Sequence, residues 1–320
     1  MGYRHVIVHL LDGKVAVVTG AGSGLGREYA LGLAAHGATL VVNDFGAAVN
    51  GEQLQSNPAQ DVVGEITSHG GRAVANFADV SQWSGAESII DTAIAHFGRL
   101  DIVVNNAGIN RPSSLVELSE QDVDLQLAVH LKGTLAVSHF AAAYWSGAEV
   151  QPHRAMVNTT SAVGLHPTAG GGVYGAAKSA IAALTVSHAQ ELARFGVRVN
   201  AIAPCARTRM VKDSPSVLAL MPEADGFDRH APEHVTPLVV YLASSHCRFT
   251  GRVFAIEGPD VALYQPFGVA QHWSAPGAFT PESLAQTLET FELQATTDAF
   301  FPGGVVQHKT PPGRALRALE

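Results

Sequence analysis

Cysteine is scarce in this chain: Cys205 and Cys247 are the two in 320 residues. They lie far apart, without the paired spacing of a metal-binding motif. That excludes a disulfide-stapled framework and leads us to expect free thiols in a reducing compartment. Basic residues are also short, with 20 Lys and Arg against 28 Asp and Glu and a formal charge of −8. This balance argues against an extended nucleic-acid surface. Long apolar runs are missing too. The run Val6 to Leu11 stops at Asp12-Gly13-Lys14 and shows no small-residue cleavage pattern, and no segment is long and apolar enough to span a bilayer. A soluble, cytoplasmic protein with neither a nucleic-acid nor a membrane partner is expected. Repeats of solenoid period and long low-complexity tracts are absent as well.

What is present suits a large buried core: 47% hydrophobic residues, with 32 Gly and 16 Pro as punctuation. Apolar strands alternate with amphipathic helices. KVAVVTG leads to GREYALGLAAHG and ATLVVND, SIIDTAIAHFG leads to LDIVVNNAG, and SAIAALTVSHAQELARFG leads to VRVNAIAP. Each helix closes on a glycine (Gly37, Gly98, Gly196), the residue that most readily adopts the left-handed cap. Val/Ile-rich strands separated in this way predict an α/β fold, a doubly wound and mostly parallel sheet with helices on both faces. Residues 46–60 read as a polar surface loop. From about Gln265 the composition shifts, so residues 1–264 are expected to form the main domain and 265–320 a C-terminal extension. Within that extension Thr280-Pro281-Glu282-Ser283 opens a helix.

The stretch Thr19 to Gly26, TGAGSGLG, packs four glycines between a strand and a helix. Such a turn lets backbone N–H groups and a helix N-terminus face a pyrophosphate. Gly20, Ser23, Gly24, Leu25 and Gly26 are the candidate cradle. The next strand ends at Asp44, whose carboxylate can accept hydrogen bonds from ribose hydroxyls. No Lys or Arg lies in Phe45-Gly46-Ala47-Ala48 to meet a 2′-phosphate, so NAD is the expected cofactor.

Further along stand Asn105-Asn106-Ala107-Gly108 and Tyr174-x-x-x-Lys178, with Ser161 thirteen residues before the tyrosine. In this order, over residues 14 to 258, the motifs resemble the short-chain dehydrogenase/reductase family. The resemblance implies a Rossmann-type fold and hydride exchange between an alcohol carbon and nicotinamide. By the same resemblance Asp79 and Val80 lie beside the adenine, and Asn106, Ala107 and Gly108 floor the pocket. Pro204 and Thr208 approach the nicotinamide. A tyrosine ionises near ~10 and needs help to accept a proton at neutral pH. Lys178 lies one helical turn from Tyr174 and can favour the phenolate, while Ser161 can hold the substrate oxygen. Lys178 would also bind the nicotinamide ribose.

Two positions depart from the family's pattern. VHLKGT carries His130 where an Asn usually holds a water of a proton relay, and Pro204 is followed by Cys205 rather than Gly. Together with VVNDFG, NAIAPCARTRM and APEHVTPLVVYLAS, these departures resemble the (3R)-hydroxyacyl-CoA dehydrogenase part of peroxisomal multifunctional enzyme type 2. A (3R)-3-hydroxyacyl-CoA is thus the expected substrate, with a steroid or other bulky secondary alcohol as runner-up. A catalytically silent NAD-binding sensor or scaffold is the alternative of another class, disfavoured by the intact Ser161, Tyr174 and Lys178. The segment 205–232 is expected to cover the active site, with Arg207, Arg209 and Lys212 toward CoA phosphates. His230 and His234 have helical ligand spacing, but Pro232 interrupts it and no metal is expected. The assembly expected is a homodimer through the helices carrying Tyr174 and His130, with a homotetramer as the larger form.

Overall fold

A computed structural model describes residues 9–52, 57–167, 169–212, 215–223, 226–264, 278 and 280–289. Eight strands build one sheet: β1 Val15–Thr19, β2 Thr39–Asn43, β3 Ala73–Asn76, β4 Ile102–Asn105, β5 Arg154–Thr159, β6 Val197–Pro204, β7 Arg252–Glu257 and β8 Asp260–Tyr264. Their spatial order is β3-β2-β1-β4-β5-β6-β7-β8. All neighbours run parallel except β7 and β8, which form an antiparallel hairpin at the edge. The described helices are α1 Gly24–Ala35, α2 Pro58–Ser68, α3 Trp83–Phe97, α4 Glu120–Leu127, α5 Gly133–Gly147, α6 Ala162–Leu165, α7 Gly172–Leu192, α8 Arg209–Lys212, α9 Pro215–Leu218, α10 Thr236–Ala243 and α11 Pro281–Glu289. Helical turns at 128–132, 193–195 and 232–235 complete the set.

Strand parity divides the core in two. Ala16 and Val18 of β1 face one side with Leu40, Val42, Ile102 and Val104, and Tyr29, Leu33, Val62, Ile66 and Leu242 cover them. Val15 and Val17 face the other side with Val41, Val103, Met156 and Val199, beneath Ile89, Ala93, Ala136, Trp145 and Leu192. Successive residues of a strand point to opposite faces, so strands apolar at every position need a helical layer on each. The three glycines expected to close helices all adopt positive φ: 96° at Gly37, 73° at Gly98 and 73° at Gly196.

The order of connection reverses between β1 and β4, which leaves a crevice beyond their C-terminal ends. The expected surface loop 46–60 gives way to α2 at Pro58, because Ala59, Val62, Val63 and Ile66 form an apolar stripe that buries against the sheet. In the region expected as an extension, Thr280 opens α11: its hydroxyl accepts from Ser283 N–H at 3.2 Å while Thr280 N–H donates to Ser283 Oγ at 3.0 Å. Residues 265–277, 279 and 290–320 of that region lie outside the described residues. Among the described residues no helix is long and apolar enough to cross a membrane.

Candidate active site

The glycine turn leaves β1 with Gly20 at φ 63° and Gly24 at φ 53°. A side chain on Gly20 would come 2.7 Å from Ala107 Cα, and one on Gly26 would run into the Gly20 carbonyl and approach Asn106 Nδ2 to 2.5 Å. The turn is therefore pressed against the end of β4, and only glycine fits. Asn106 fastens it, donating from Nδ2 to the carbonyls of Thr19 at 3.0 Å and Gly20 at 3.1 Å. The Thr19 hydroxyl accepts the Asn106 and Ala107 N–H groups in return. Ser23 precedes α1 without capping it, and no acidic residue stands in the first turn. The positive end of α1 is left for an anion. The Asp44 carboxylate accepts from Gly22 N–H and Gly46 N–H, each at 2.8 Å, and so stands beside the turn.

A cavity of about 1030 Å³ runs from this turn across the strand ends. Gly20, Ser23, Gly24, Leu25, Gly26, Asp44, Asp79, Val80, Asn106, Ala107, Gly108, His130, Ser161, Tyr174, Lys178, Pro204 and Thr208 all border it. The structure thus brings every anticipated site residue to one space. Additional walls come from Ala47 to Val49 with Gly51 after β2, and from Ile109 to Ser113 with Leu115 after β4. Asn110 N–H donates to the Val49 carbonyl at 2.9 Å, and Arg111 donates to the Asn50 carbonyl at 2.7 Å, so the two loops form one wall. Sequence reading missed this wall. Its one signal is the apolar pair Leu115-Val116, exposed at 88% and 94% within a polar loop.

Tyr174 and Lys178 project from α7 one turn apart, with Lys178 Nζ 5.7 Å from the phenol ring centre. Burial raises the Tyr174 pKa, and the hydrogen bond from Ser161 pulls it back. Lys178 is buried, donates to the Thr159 carbonyl at 2.8 Å, and is brought down by that burial to about 7. It is divided between its two forms at neutral pH. Ser161 stands at the start of α6, its Oγ accepting from Val163 N–H at 3.3 Å. That cap fixes the hydroxyl toward Tyr174.

His130 lies in a π-helical turn, 128–132, between α4 and α5, and is fully buried. Its ring meets the Tyr174 ring edge-on at 5.2 Å. Nε2 lies 2.7 Å from the Ile109 carbonyl and 3.3 Å from the Ile109 N–H, and the shorter contact favours the tautomer with its proton on Nε2. Nδ1 is then a buried acceptor with no partner among the described residues. Burial, followed by the charge of Lys178, lowers its pKa to about 3, so the imidazole is neutral. Gly108 makes room for it, since a Cβ there would lie 2.6 Å from His130 Cε1.

The expectation about the cations changes. Arg207 does not face the cavity as a free cation: it forms a two-pronged pair with Asp228, both bonds at 2.8 Å, and donates to the carbonyls of Met221 and Pro222. It ties down the covering segment. Arg209 instead reaches back to the Ser23 hydroxyl. His230 and His234 do not converge. His234 stacks on Phe227 at 4.6 Å, whereas His230 Nε2 lies 3.1 Å from Glu257 Oε1. Cys205, His230 and Glu257 place donor atoms within 4.8 Å of one another, a grouping invisible to local spacing. Arg229 donates to the same Glu257 oxygen at 3.0 Å, and burial followed by the Glu257 charge pushes the Cys205 thiol up to about 12. A protonated thiol and a carboxylate already paired make this a hydrogen-bonded anchor between the cover and β7.

Comparison with known proteins adds independent weight. Residues 14–217 match the family model described as short chain dehydrogenase. The hydroxyacyl-CoA dehydrogenase ChsB1 of Mycobacterium tuberculosis is 42% identical over 298 residues, covering 88% of this chain and 89% of its own. Peroxisomal multifunctional enzyme type 2 of Mus musculus is 39% identical over 245 residues, covering 77% of this chain and 32% of its own. Among solved structures, a short chain dehydrogenase from Mycobacterium avium superposes with a TM-score of 0.76 at 41% identity, covering 88% of this chain and 94% of that one.

Proposed function

Since the chain belongs to the short-chain dehydrogenase family, an oxidoreductase acting on CH–OH groups with a nicotinamide cofactor, we propose that it oxidises a (3R)-3-hydroxyacyl-CoA thioester with NAD. The observation that carries this reading is the convergence of Ser161, Tyr174 and Lys178 on the cavity that begins at the glycine turn. A silent NAD-binding sensor would have no use for that trio.

The turn fits a dinucleotide: a cradle that only glycine leaves open, an uncapped helix N-terminus, and the Asp44 carboxylate beside them. When bound, the nicotinamide supplies the hydride acceptor. The Ser161 hydroxyl donates to the substrate oxygen and holds it against Tyr174. Tyr174 takes the hydroxyl proton as the carbon gives up its hydride, so alcohol becomes ketone. Lys178, in its cationic form, stabilises the phenolate. The buried Nδ1 of His130 is suited to accept a hydrogen bond in a relay behind Lys178. Asp44 favours NAD, because a 2′-phosphate would meet a carboxylate and no cation stands within Phe45 to Ala48.

The acyl part would lie against Met210, Val211, Val217, Leu220 and Met221, an apolar wall of the cavity. The same wall suits a steroid alcohol, which remains the second reading. The relative named hydroxyacyl-CoA dehydrogenase supports the thioester. NAD reduction measured across (3R)- and (3S)-3-hydroxyacyl-CoAs, the matching free acids and steroid alcohols tests both. Preference for the (3R)-thioester is expected. Turnover of free steroids with none of thioesters would transfer the assignment to the runner-up.

Two buried free thiols suit a reducing compartment and support a cytoplasmic location. A homodimer is supported by the outer face of α7. Its exposed or half-buried Ala176, Ala180 and Ala183 form a smooth stripe, beside a groove lined by Leu127, Leu131, Leu135 and Leu192. Ala177 and Ala182 of the same helix are buried within the subunit.

A further inference from the structure

Arg209 and Ser23 are 186 residues apart in sequence, yet the Arg209 guanidinium donates to the Ser23 hydroxyl. Ser23 is the residue before α1, where a serine ordinarily turns its oxygen onto an N–H of the first helical turn. It makes no such bond here. The contact places a permanent positive charge at the mouth of α1, within the cavity wall.

Apart from Lys212, which does not border the cavity, the neighbouring cations are committed elsewhere. Arg27, on α1 itself, pairs with Glu28 at 2.6 Å and with Glu65 at 2.5 Å. Arg207 pairs with Asp228, Arg111 with Asp122 at 2.6 Å, and Lys178 donates to Thr159. The side-chain partner of Arg209 among the described residues is a neutral hydroxyl. Arg209 also begins α8, whose Met210 and Val211 belong to the apolar wall of the cavity. Thr208, the residue before it, lies over the turn: a Cβ on Gly24 would be 3.8 Å from Thr208 Cβ. One side chain therefore joins the glycine turn to the segment that covers the substrate space.

We infer that Arg209 is the countercharge for the pyrophosphate of the dinucleotide, and that this pairing clamps the cover so that dinucleotide and acyl substrate bind cooperatively. The inference rests on the nucleotide-binding reading above and extends it. An anion at the start of α1 would draw the guanidinium from Ser23 and leave the Ser23 hydroxyl free to donate to a phosphate oxygen as well. A charge-assisted bond of this kind contributes more than a neutral one. Because the cation is carried by the cover, the nucleotide's contact with it holds the apolar wall in place, and the coupling must act equally in both directions.

The test measures binding of NADH, ADP-ribose and adenosine to the wild type, Arg209→Gln and Arg209→Lys. Arg209→Gln is expected to weaken NADH and ADP-ribose by about tenfold or more. Adenosine, which has no phosphate, should bind unchanged and reports that the variant is folded. Arg209→Lys should recover part of the loss, and wild-type affinity should fall with salt more steeply than that of Arg209→Gln. In the wild type ADP-ribose should tighten binding of a 3-oxoacyl-CoA, and Arg209→Gln should abolish that effect. Unchanged NADH affinity in Arg209→Gln, with weakened acyl-CoA binding in the absence of nucleotide, would give the contact to CoA and overturn the inference. Equal behaviour of wild type and variant toward every ligand would do the same. Failure of the wild type to bind any dinucleotide would overturn both this inference and the reading beneath it.

Discussion

His130 and Lys178 are ionisable side chains that the interior holds partly or wholly uncharged, at about 3 and about 7. Both are ordinarily protonated at higher pH, so over each interval the unfolded chain binds a proton that the native protein does not. Stability must rise with pH through these windows, and fall as pH drops from 6.5 toward 3 on account of His130. One such group contributes a slope of at most ~1.4 kcal/mol per pH unit. His130→Asn should flatten the acid limb of a plot of urea midpoint against pH; an unchanged slope would contradict the assignment. In the chemistry itself, Tyr174→Phe should lower turnover by roughly 10²–10⁴-fold, the range for loss of a general base, and leave NADH affinity nearly intact. Steady-state rates with equilibrium binding on the same sample check both halves. Tyr174, Lys178 and Ser161 were legible in the sequence because one helix turn and a fixed offset carry them. The neutrality of His130 was not, since it comes from burial and from the charge of Lys178, which only the fold supplies.

Among the elements, β1, β2, β4 and β6 announce themselves by Val/Ile runs that need cover on both faces. β3 does not, because Ala73, Val74 and Ala75 are only half-buried at the sheet's margin. β8 alternates between half-buried and exposed residues, with Val261 and Leu263 turned outward, and it had no place in a strand–helix rhythm. The π-helical turn around His130 was hidden too. VHLKGT has no Pro and would continue an ordinary helix, and the widened turn shows only where the imidazole reaches Ile109. The backbone opposite that turn has no spare room. Gly108→Ala should therefore displace the imidazole and cost about 1–3 kcal/mol, the usual penalty of overpacking, readable as a lower denaturant midpoint.

For the whole molecule, strand parity explains two cores and the crevice between β1 and β4, and these position the site. What lies outside that scheme is the outer surface. Trp83 is 46% exposed and packs its ring against His139 at 5.1 Å and Phe140 at 5.4 Å, beside the apolar groove of α4 and α5. An aromatic and leucine-lined groove adjoining a smooth helix is the kind of face that a second copy buries. Ala183→Glu, on the exposed side of α7, should leave the folded subunit intact and shift light-scattering mass from dimer to monomer. A wild-type protein that is monomeric at micromolar concentration would exclude the dimer.

Asp44 has a consequence for anyone who would redesign the protein's cofactor preference. Its carboxylate does more than stand where a ribose would lie, because it also ties Gly22 and Gly46 to the tip of β2. Exchanging it for a neutral or basic residue to admit a phosphorylated cofactor would untie the turn that every dinucleotide must grip. Affinity for both cofactors should then drop together, and a successful switch would need a second substitution that re-anchors Gly22. The proposed preference for NAD would in this way be protected by the architecture, and a single-site route away from it would pass through a weaker enzyme.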